Sequence, residues 1–322
     1  MTDDGDEEGG GGVKAPPSAG AEPPSREEVV LDRIEAFRRR RPRLLEENIT
    51  SAHGAGGKAS AALIDAVFLE AFRNDTLADM ADGAVLDLPS GERLAFSTDS
   101  FVVKPLRFPG GSIGHLAVHG TVNDVAMMGA RPTWMSAAFV IEEGFPVTEL
   151  KAIVADMAEA AATSGVQVVT GDTKVVNKGA ADGLYINTSA VGVVQSTGPN
   201  SPGLSPKRVR PGDKVLVSGT IGDHGVAVML ARGDLNLEAD IKSDTAPLNG
   251  LVEALLAAAP NTRWLRDPTR GGVGTVCNEL AVDAKLAVVL DETRLPVLPA
   301  VNGACDLLGI DPLYVANEGK LM

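Results

Sequence analysis

Three short apolar runs in the chain each carry an aspartate: "LAFSTDS" holds Asp99, "GTVNDVAMMGA" holds Asp124, and "VQVVTGDTK" holds Asp172, continuing into Thr173 and Lys174. Carboxylates delivered from three separate elements suit a hard divalent cation such as Mg²⁺, which takes oxygen ligands and keeps several waters. A lysine beside one of them adds a point charge for a phosphate. The set points first to an enzyme that uses a nucleotide and a metal.

Other segments could serve the same chemistry, and each also has a plainer reading. The run "SAHGAGGKAS" (51–60) precedes a helical pattern, so amides around Gly54, Gly56 and Gly57 could hold an anion with help from Lys58. It is not a Walker A loop, which would need Gly at Ala52 and Ser or Thr at Ala59; a flexible loop opening a helix fits equally well. Asp99 in "STDS" could be a turn former. Asp124 interrupts an apolar helical pattern, which favours a ligand or cap role, because buried carboxylates are rarely left unpaired. Asp172 is expected just beyond a Val-rich strand, where α/β folds place chemistry. "RDPTRGG" (266–272) offers Arg270 and helix-start amides for phosphate, or an ordinary Asp-Pro turn. "NEGK" (317–320) offers Glu318 as a base or as an ion-pair partner of Lys320. His115 and His119 have a zinc-compatible i,i+4 spacing but no third soft ligand, and "GDHG" (222–225) reads as a turn. Cys277 and Cys305 read as inert core thiols.

The elements that must position these residues follow from composition and periodicity. The 322 residues suffice for two domains. With 44% hydrophobic residues but only 4% aromatic, the core must be built from aliphatic side chains. Val-rich runs alternating with helical patterns give an α/β or α+β class. A net charge of −14 argues against a nucleic-acid partner or an acidic membrane surface. The absence of a cysteine framework, a membrane-length apolar run and a signal sequence makes the cytoplasm the expected compartment. Residues 1–25 read as an acidic disordered tail, and a short basic helix is expected before Pro42. Strands are expected over Val85–Leu88, Arg93–Val103, Val166–Thr170 and Leu184–Val194. Helices are expected over Ala59–Phe72, 115–129 and Thr148–Ser164, the last stopped by Gly165. "SPGLSPKRVRPGD" (201–213) marks a boundary, giving domains over 46–203 and 204–322 after the 1–45 extension. In the second domain strands are expected at Lys214–Val217, near Leu286–Leu290 and in the terminal "LYVANEGK", with helices at 247–258 and 272–283.

In order, "HGAGGK", "STDSFVVKPLRFPGGSIGHLAVHGTVNDVAMMGA", "EEGFP", "VVTGDTKVV", "GDHG", "RDPTRGG" and "DPLYVANEGK" resemble one family from about Ile49 to the last residue. It is the HypE family, the carbamoyl dehydratases of nickel–iron hydrogenase maturation, within the aminoimidazole ribonucleotide synthetase-like superfamily. The resemblance implies a two-domain α/β (α+β) fold whose N-terminal sheet pairs across a homodimer. It implies ATP and Mg²⁺ in the cleft, with Asp99, Asp124 and Asp172 reaching the metal. Thr98, Thr170, Gly171 and Thr173 would line the nucleotide, and Gly54, Gly56, Gly57 and Lys58 would cover it.

Members of the family receive a carbamoyl group from HypF on a C-terminal cysteine and dehydrate it to a thiocyanate. The cyanide then passes to iron held by HypC and HypD. The resemblance assigns Lys174 and Glu318 to the proton-transfer step without dividing the roles. The family's Pro-Arg-Ile-Cys tail is not in this sequence, which stops at Met322. The chain as it stands is therefore expected to hold nucleotide without turning over. Two other readings stay open: a small-molecule kinase of the same superfamily, such as thiamine-phosphate kinase, and a non-catalytic maturation scaffold.

Overall fold

The computed structural model describes residues 44–195, 203–233 and 239–322. The expected tail over 1–25 and the short helix before Pro42 lie outside the described residues. A glycine-rich 3₁₀ turn, Ser51–Gly54, leads into helix α1 (Gly57–Leu63), which continues as a π-helical segment to Leu69 and a last turn, Glu70–Phe72.

Strands β1 (Ala84–Asp87) and β2 (Arg93–Phe101) form the expected hairpin, closed where Gly91 N donates to the Leu88 carbonyl. A two-residue ribbon, β3 (Arg107–Phe108) with β4 (Gly111–Ser112), opens helix α2 (Ile113–Met127). Ser112 caps α2 by accepting from Gly114 N at 3.2 Å. Strand β5 (Ala130–Glu142), helix α3 (Val147–Ser164) and strand β6 (Gln167–Val176) make a parallel βαβ unit, and β7 (Leu184–Val194) follows. Gly165 stops α3 in the left-handed region, φ 70°, as its position predicts.

The five-stranded sheet runs β1-β2-β7-β5-β6, antiparallel except for β5–β6. Helices α2 and α3 cover one face, where Ala95, Met135, Ile186 and Ala190 meet Val118, Val122 and Ile153. Thirteen of the fifteen residues of α2 are buried, so every polar group it carries must find a partner inside the protein.

The second half contains helices α4 (Asp223–Ala231), α5 (Asn249–Ala258), α6 (Gly272–Ala284) and α7 (Pro299–Leu308). α5 and α6 match their expected spans closely. Three apolar clusters hold this half together, and one of them joins Ala126 and Met127 of α2 to Leu248, Val252, Leu265 and Leu321.

Several sequence expectations are corrected. β5 was not foreseen as a strand. The "GDTK" segment lies within β6 rather than after it, because parallel pairing with β5 continues to Val176. Lys214–Val217 and Leu286–Leu290 are not strands: neither meets a ladder partner among the described residues, and Leu216 and Val289 are 72% and 90% exposed. The terminal "LYVANEGK" is a 3₁₀ turn, Pro312–Tyr314, followed by irregular chain. No helix among the described residues is long and apolar enough to cross a membrane.

Candidate active site

Asp82, Asp124 and Asp267 come from three elements: the turn into β1, the buried helix α2, and the loop before α6. They place one carboxylate oxygen each within 4.8 Å of one another. The side chain of Asp82 is 8% exposed, and its Oδ2 is buried without a hydrogen-bond partner. The cation at hand is Arg266, whose Nη1 lies 2.9 Å from Asp82 Oδ1. Burial, then the neighbouring charge of Asp267, pushes Asp82 well above the ordinary carboxylate range. Burial, then the charges of Asp267 and Asp82, does the same to Asp124. Asp267 is pushed up to about 6, chiefly by burial.

The Ser97 hydroxyl lies 2.9 Å from the Asp82 carbonyl and 2.7 Å from Asp124 Oδ2. With one proton it can donate to only one of them, so without a metal a protonated Asp124 completes the pair. An all-oxygen donor set with an orphaned, desolvated oxygen fits Mg²⁺. Asp82 and Asp267 are candidate ligands that the sequence reading does not single out. Asp82 looks like any Asp-Gly turn, and Asp267 was read as a turn beside Arg270.

At the rim, Arg270 Nη2 contacts Asp99 Oδ1 at 2.8 Å. The glycine loop packs directly on that arginine: a Cβ on Gly56 would sit 3.4 Å from Arg270 Cβ, and φ there is +84°. Gly56 therefore serves both a close approach and a backbone conformation that glycine adopts freely. Gly54 and Gly57 have no atom near their Cβ positions, and Lys58 is exposed. "HGAGGK", Asp99 and "RDPTRGG" thus meet.

Glu318 joins them through two buried asparagines. Asn123 Nδ2 donates to the carbonyls of Glu318 (3.2 Å) and Ala246 (3.1 Å), while its Oδ1 accepts from Leu248 N. Asn317 Oδ1 accepts from Gly222 N, and its Nδ2 donates to the Pro268 carbonyl, clamping "GDHG" to "RDPTRGG". Burial first, then the charges of Asp267, Asp244 and Asp99, raises Glu318 well above its usual range. Glu318 pairs with no lysine among the described residues. Lys320 instead reaches Asp244 Oδ2 at 3.0 Å and Asp223 Oδ2 at 4.0 Å, and Asp244 Oδ1 accepts from Glu318 N.

Asp172 is not brought to this cluster within one chain. The register sets Asp99 in a row with Thr188, Ala137 and Gly171 on the helix-covered side. Asp172 instead falls in the next row with Ala138, Asn187 and Ser100, on the opposite face. Three strand spacings separate the two columns, about 14 Å. Lys174 lies 3.6 Å from Asp172 Oδ2, both exposed, on the edge strand β6 with Thr170, Gly171 and Thr173. Thr98 sits on the open face, hydrogen-bonded to the Thr188 carbonyl and to Ser189. Of the expected Asp99–Asp124–Asp172 set, one chain therefore brings only Asp124 into the close carboxylate cluster, where its companions are Asp82 and Asp267.

His119 is held neutral, its pKa lowered to about 4 by burial and then by His115, and it contacts Thr245 Oγ1 at 3.1 Å. His224 is lowered to about 4 by burial and contacts Ser243. Its "GDHG" segment starts α4 rather than forming a simple turn. Cys277 and Cys305 are buried, and burial raises both thiols, as inert core residues require.

Residues 80–194 match the family model for the N-terminal domain of AIR synthase related proteins, and 210–322 match that for the C-terminal domain. The carbamoyl dehydratase HypE of Cupriavidus necator is 52% identical over 274 residues, covering 85% of this chain and 77% of that protein. A crystal structure of a HypE–HypF complex superposes with TM-score 0.75 at 52% identity, covering 81% of this chain and 83% of that one. HypE in complex with ATP superposes with TM-score 0.69 at 48% identity, covering 85% and 80%. A thiamine monophosphate kinase from Aquifex aeolicus, 18% identical with TM-score 0.60 over 83% and 88%, shares the fold alone.

Proposed function

Because the chain belongs to the HypE family of AIR synthase related proteins, we propose that it is an ATP-dependent carbamoyl dehydratase of hydrogenase maturation. Its substrate is a cysteine thiocarbamate, R–S–C(=O)–NH₂, carried on the family's C-terminal cysteine. The oxygen is a poor leaving group until it takes the γ-phosphoryl group of ATP, releasing ADP. The C–O bond then breaks, phosphate departs with the electron pair, and the nitrogen gives up its two protons in all to leave R–S–C≡N. Water is thereby removed at the expense of one ATP.

The observation that carries this reading is the hydrogen bond from Asn123, the neighbour of Asp124, to the Glu318 carbonyl. It ties the backbone of Glu318 to the helix that carries Asp124. Glu318, whose buried carboxyl holds its proton more tightly than an ordinary glutamate, suits proton exchange with the substrate nitrogen. Arg270 and the amides of the Gly54–Gly57 loop orient the phosphates. Asp82, Asp124 and Asp267 would hold Mg²⁺, with Asp99 at the rim. The metal would supply charge neutralisation at the transferred phosphoryl group.

The working form is a homodimer. β6 is an edge strand exposed along its length, with Val168, Val169 and Val175 at 48%, 57% and 69% exposure. Such an edge invites pairing with a second copy. Pairing there would bring the partner subunit's Asp172 and Lys174 toward a neighbouring site, giving Lys174 its electrostatic role and keeping Asp172 among the metal ligands. The domain division near residue 204 fits the gap between the two family matches. A HypF-type carbamoyltransferase is the donor partner, a HypC–HypD-type iron scaffold the acceptor, and the cytoplasm the compartment.

The test uses a chain carrying the cysteine tail, incubated with the carbamoyl donor system and then with ATP. Mass spectrometry of the tail peptide should show the carbamoyl adduct losing one water. An adduct that ATP leaves unchanged refutes the dehydratase.

A further inference from the structure

The segment "SPKRVRPGD" (205–213) concentrates positive charge that the proposed reaction does not use. A cavity of about 400 Å³ opens beside it, lined by Lys207, Arg208, Arg210, Asn261 and Arg263. In a chain of net charge −14 this is a local inversion of sign. The cations are unevenly compensated. Arg263 is ion-paired with Asp213, a carboxylate held below its usual range by the Arg210 amide and by Arg263. Arg208 donates to the carbonyls of Gly203 and Thr262, which are uncharged and leave its charge intact. No carboxylate is ion-paired with Arg208 or Arg210 among the described residues. Lys207 pairs with Asp79 at 3.0 Å, but both side chains are largely exposed, so the pair is weak and exchangeable.

We propose that this cavity is a second anion site, taking a compact polyoxyanion of the phosphate or pyrophosphate class. Guanidinium forks match such oxygens in a bidentate way. The volume suits a small molecule rather than a macromolecular surface. Among the described residues no aromatic or apolar side chain lines the cavity to receive a nucleobase, so inorganic pyrophosphate is favoured over a nucleotide. The cavity shares no lining residue with the Asp82–Asp124–Asp267 cluster.

Titration calorimetry of the full chain with sodium phosphate, sodium pyrophosphate and ADP, without Mg²⁺, tests this. Arg210→Gln removes one exposed guanidinium and should weaken pyrophosphate binding about tenfold, the worth of one charge-assisted contact. Lys207→Gln should act in the same direction. Asp124→Asn, which alters the carboxylate cluster, should leave pyrophosphate affinity unchanged. Arg210-dependent binding of ADP more than tenfold tighter than pyrophosphate would uphold the site and identify a nucleotide's phosphates as the source. No binding at millimolar pyrophosphate overturns the proposal. So does binding that ignores R210Q but changes in D124N, because the anion would then occupy the nucleotide site. Arg210-dependent capture of a poly-glutamate peptide without pyrophosphate binding would also overturn it, in favour of an acidic peptide surface.

Discussion

Replacing Asp267 with Asn should stabilise the metal-free protein while crippling its response to Mg²⁺. Asp267 is 4% exposed, and burial, with a smaller push from the charge of Asp99, lifts its pKa from 3.8 to about 6. A folded-state pKa above the unfolded value means that the folded state holds its proton more tightly. The associated stability is present at low pH and is lost as pH rises through the folded value. Taking 1.36 kcal/mol per unit, the penalty of ionising Asp267 in the folded protein reaches about 3 kcal/mol by pH 8. Roughly half of it is gone at pH 5, where the carboxyl is largely protonated in the fold. An asparagine keeps the shape without the charge, so D267N should gain about 3 kcal/mol at pH 8, a rise in melting temperature on the order of 5 °C.

Mg²⁺ acts in the opposite sense. At ten times its dissociation constant a ligand specific to the folded state adds about 1.4 kcal/mol. Wild type should gain that increment, and D267N should lose most of it. The assay is thermal unfolding by circular dichroism at pH 5 and pH 8, with and without Mg²⁺. A D267N protein that melts lower than wild type at pH 8 and shifts normally with Mg²⁺ would refute the cluster as a metal site.

Three further outcomes are expected. Arg270→Gln should raise the dissociation constant for Mg-ATP about tenfold in calorimetry, since a charge-assisted phosphate contact is lost; unchanged affinity removes Arg270 and the glycine loop from the phosphate site. Val168→Lys combined with Val175→Lys should convert the dimer to monomer in sedimentation velocity, because edge lysines oppose strand pairing; a wild-type monomer, or a dimer indifferent to the change, refutes the β6 interface. His224, whose folded pKa is about 4 against 6.5 unfolded, binds its proton more readily unfolded and so loses stability as pH falls between those values. His224→Gln should therefore flatten the urea-unfolding stability between pH 7 and 5 by about 2 kcal/mol, and an identical slope would mean that His224 is charged or solvated in the fold.

The first half of the fold was legible because its signals are local. The β1–β2 turn at Ser90-Gly91, the Gly165 stop and the apolar stripe of α3 each depend on neighbours a few residues away. β5 escaped notice because "ARPTWMSAAFVIE" carries a proline and two register shifts that blur its alternation. Lys214–Val217 and Leu286–Leu290 look like strands by composition, but a strand is a pairing, and pairing is not a property of one segment. Of the site, the motifs were legible and their grouping was not. Asp172 and Asp99 seemed equivalent because both end apolar runs. Only the strand order β1-β2-β7-β5-β6 and the pleat reveal that they face opposite ways. Asp82 offered no signal beyond an Asp-Gly pair.

The electrostatics of the cleft argue that it is built for occupants rather than for stability. Asp82, Asp99, Asp124, Asp267 and Glu318 converge on one region, and four of the five have raised pKa values for which burial is the leading cause. Arg266 is shared between Asp82 and Glu279, and Arg270 is committed to Asp99. A folding core would not gather carboxylates in this ratio, because each ionisation lowers its stability. A metal held there would reverse the sign of that energy, and phosphates bound with it would compete with Asp99 for Arg270. The same contacts that make the empty cleft costly thus favour binding metal and nucleotide together, with Glu318 becoming easier to ionise once the surrounding negative charge is neutralised. Its pKa would then fall on loading, which would link proton acceptance at Glu318 to a bound nucleotide.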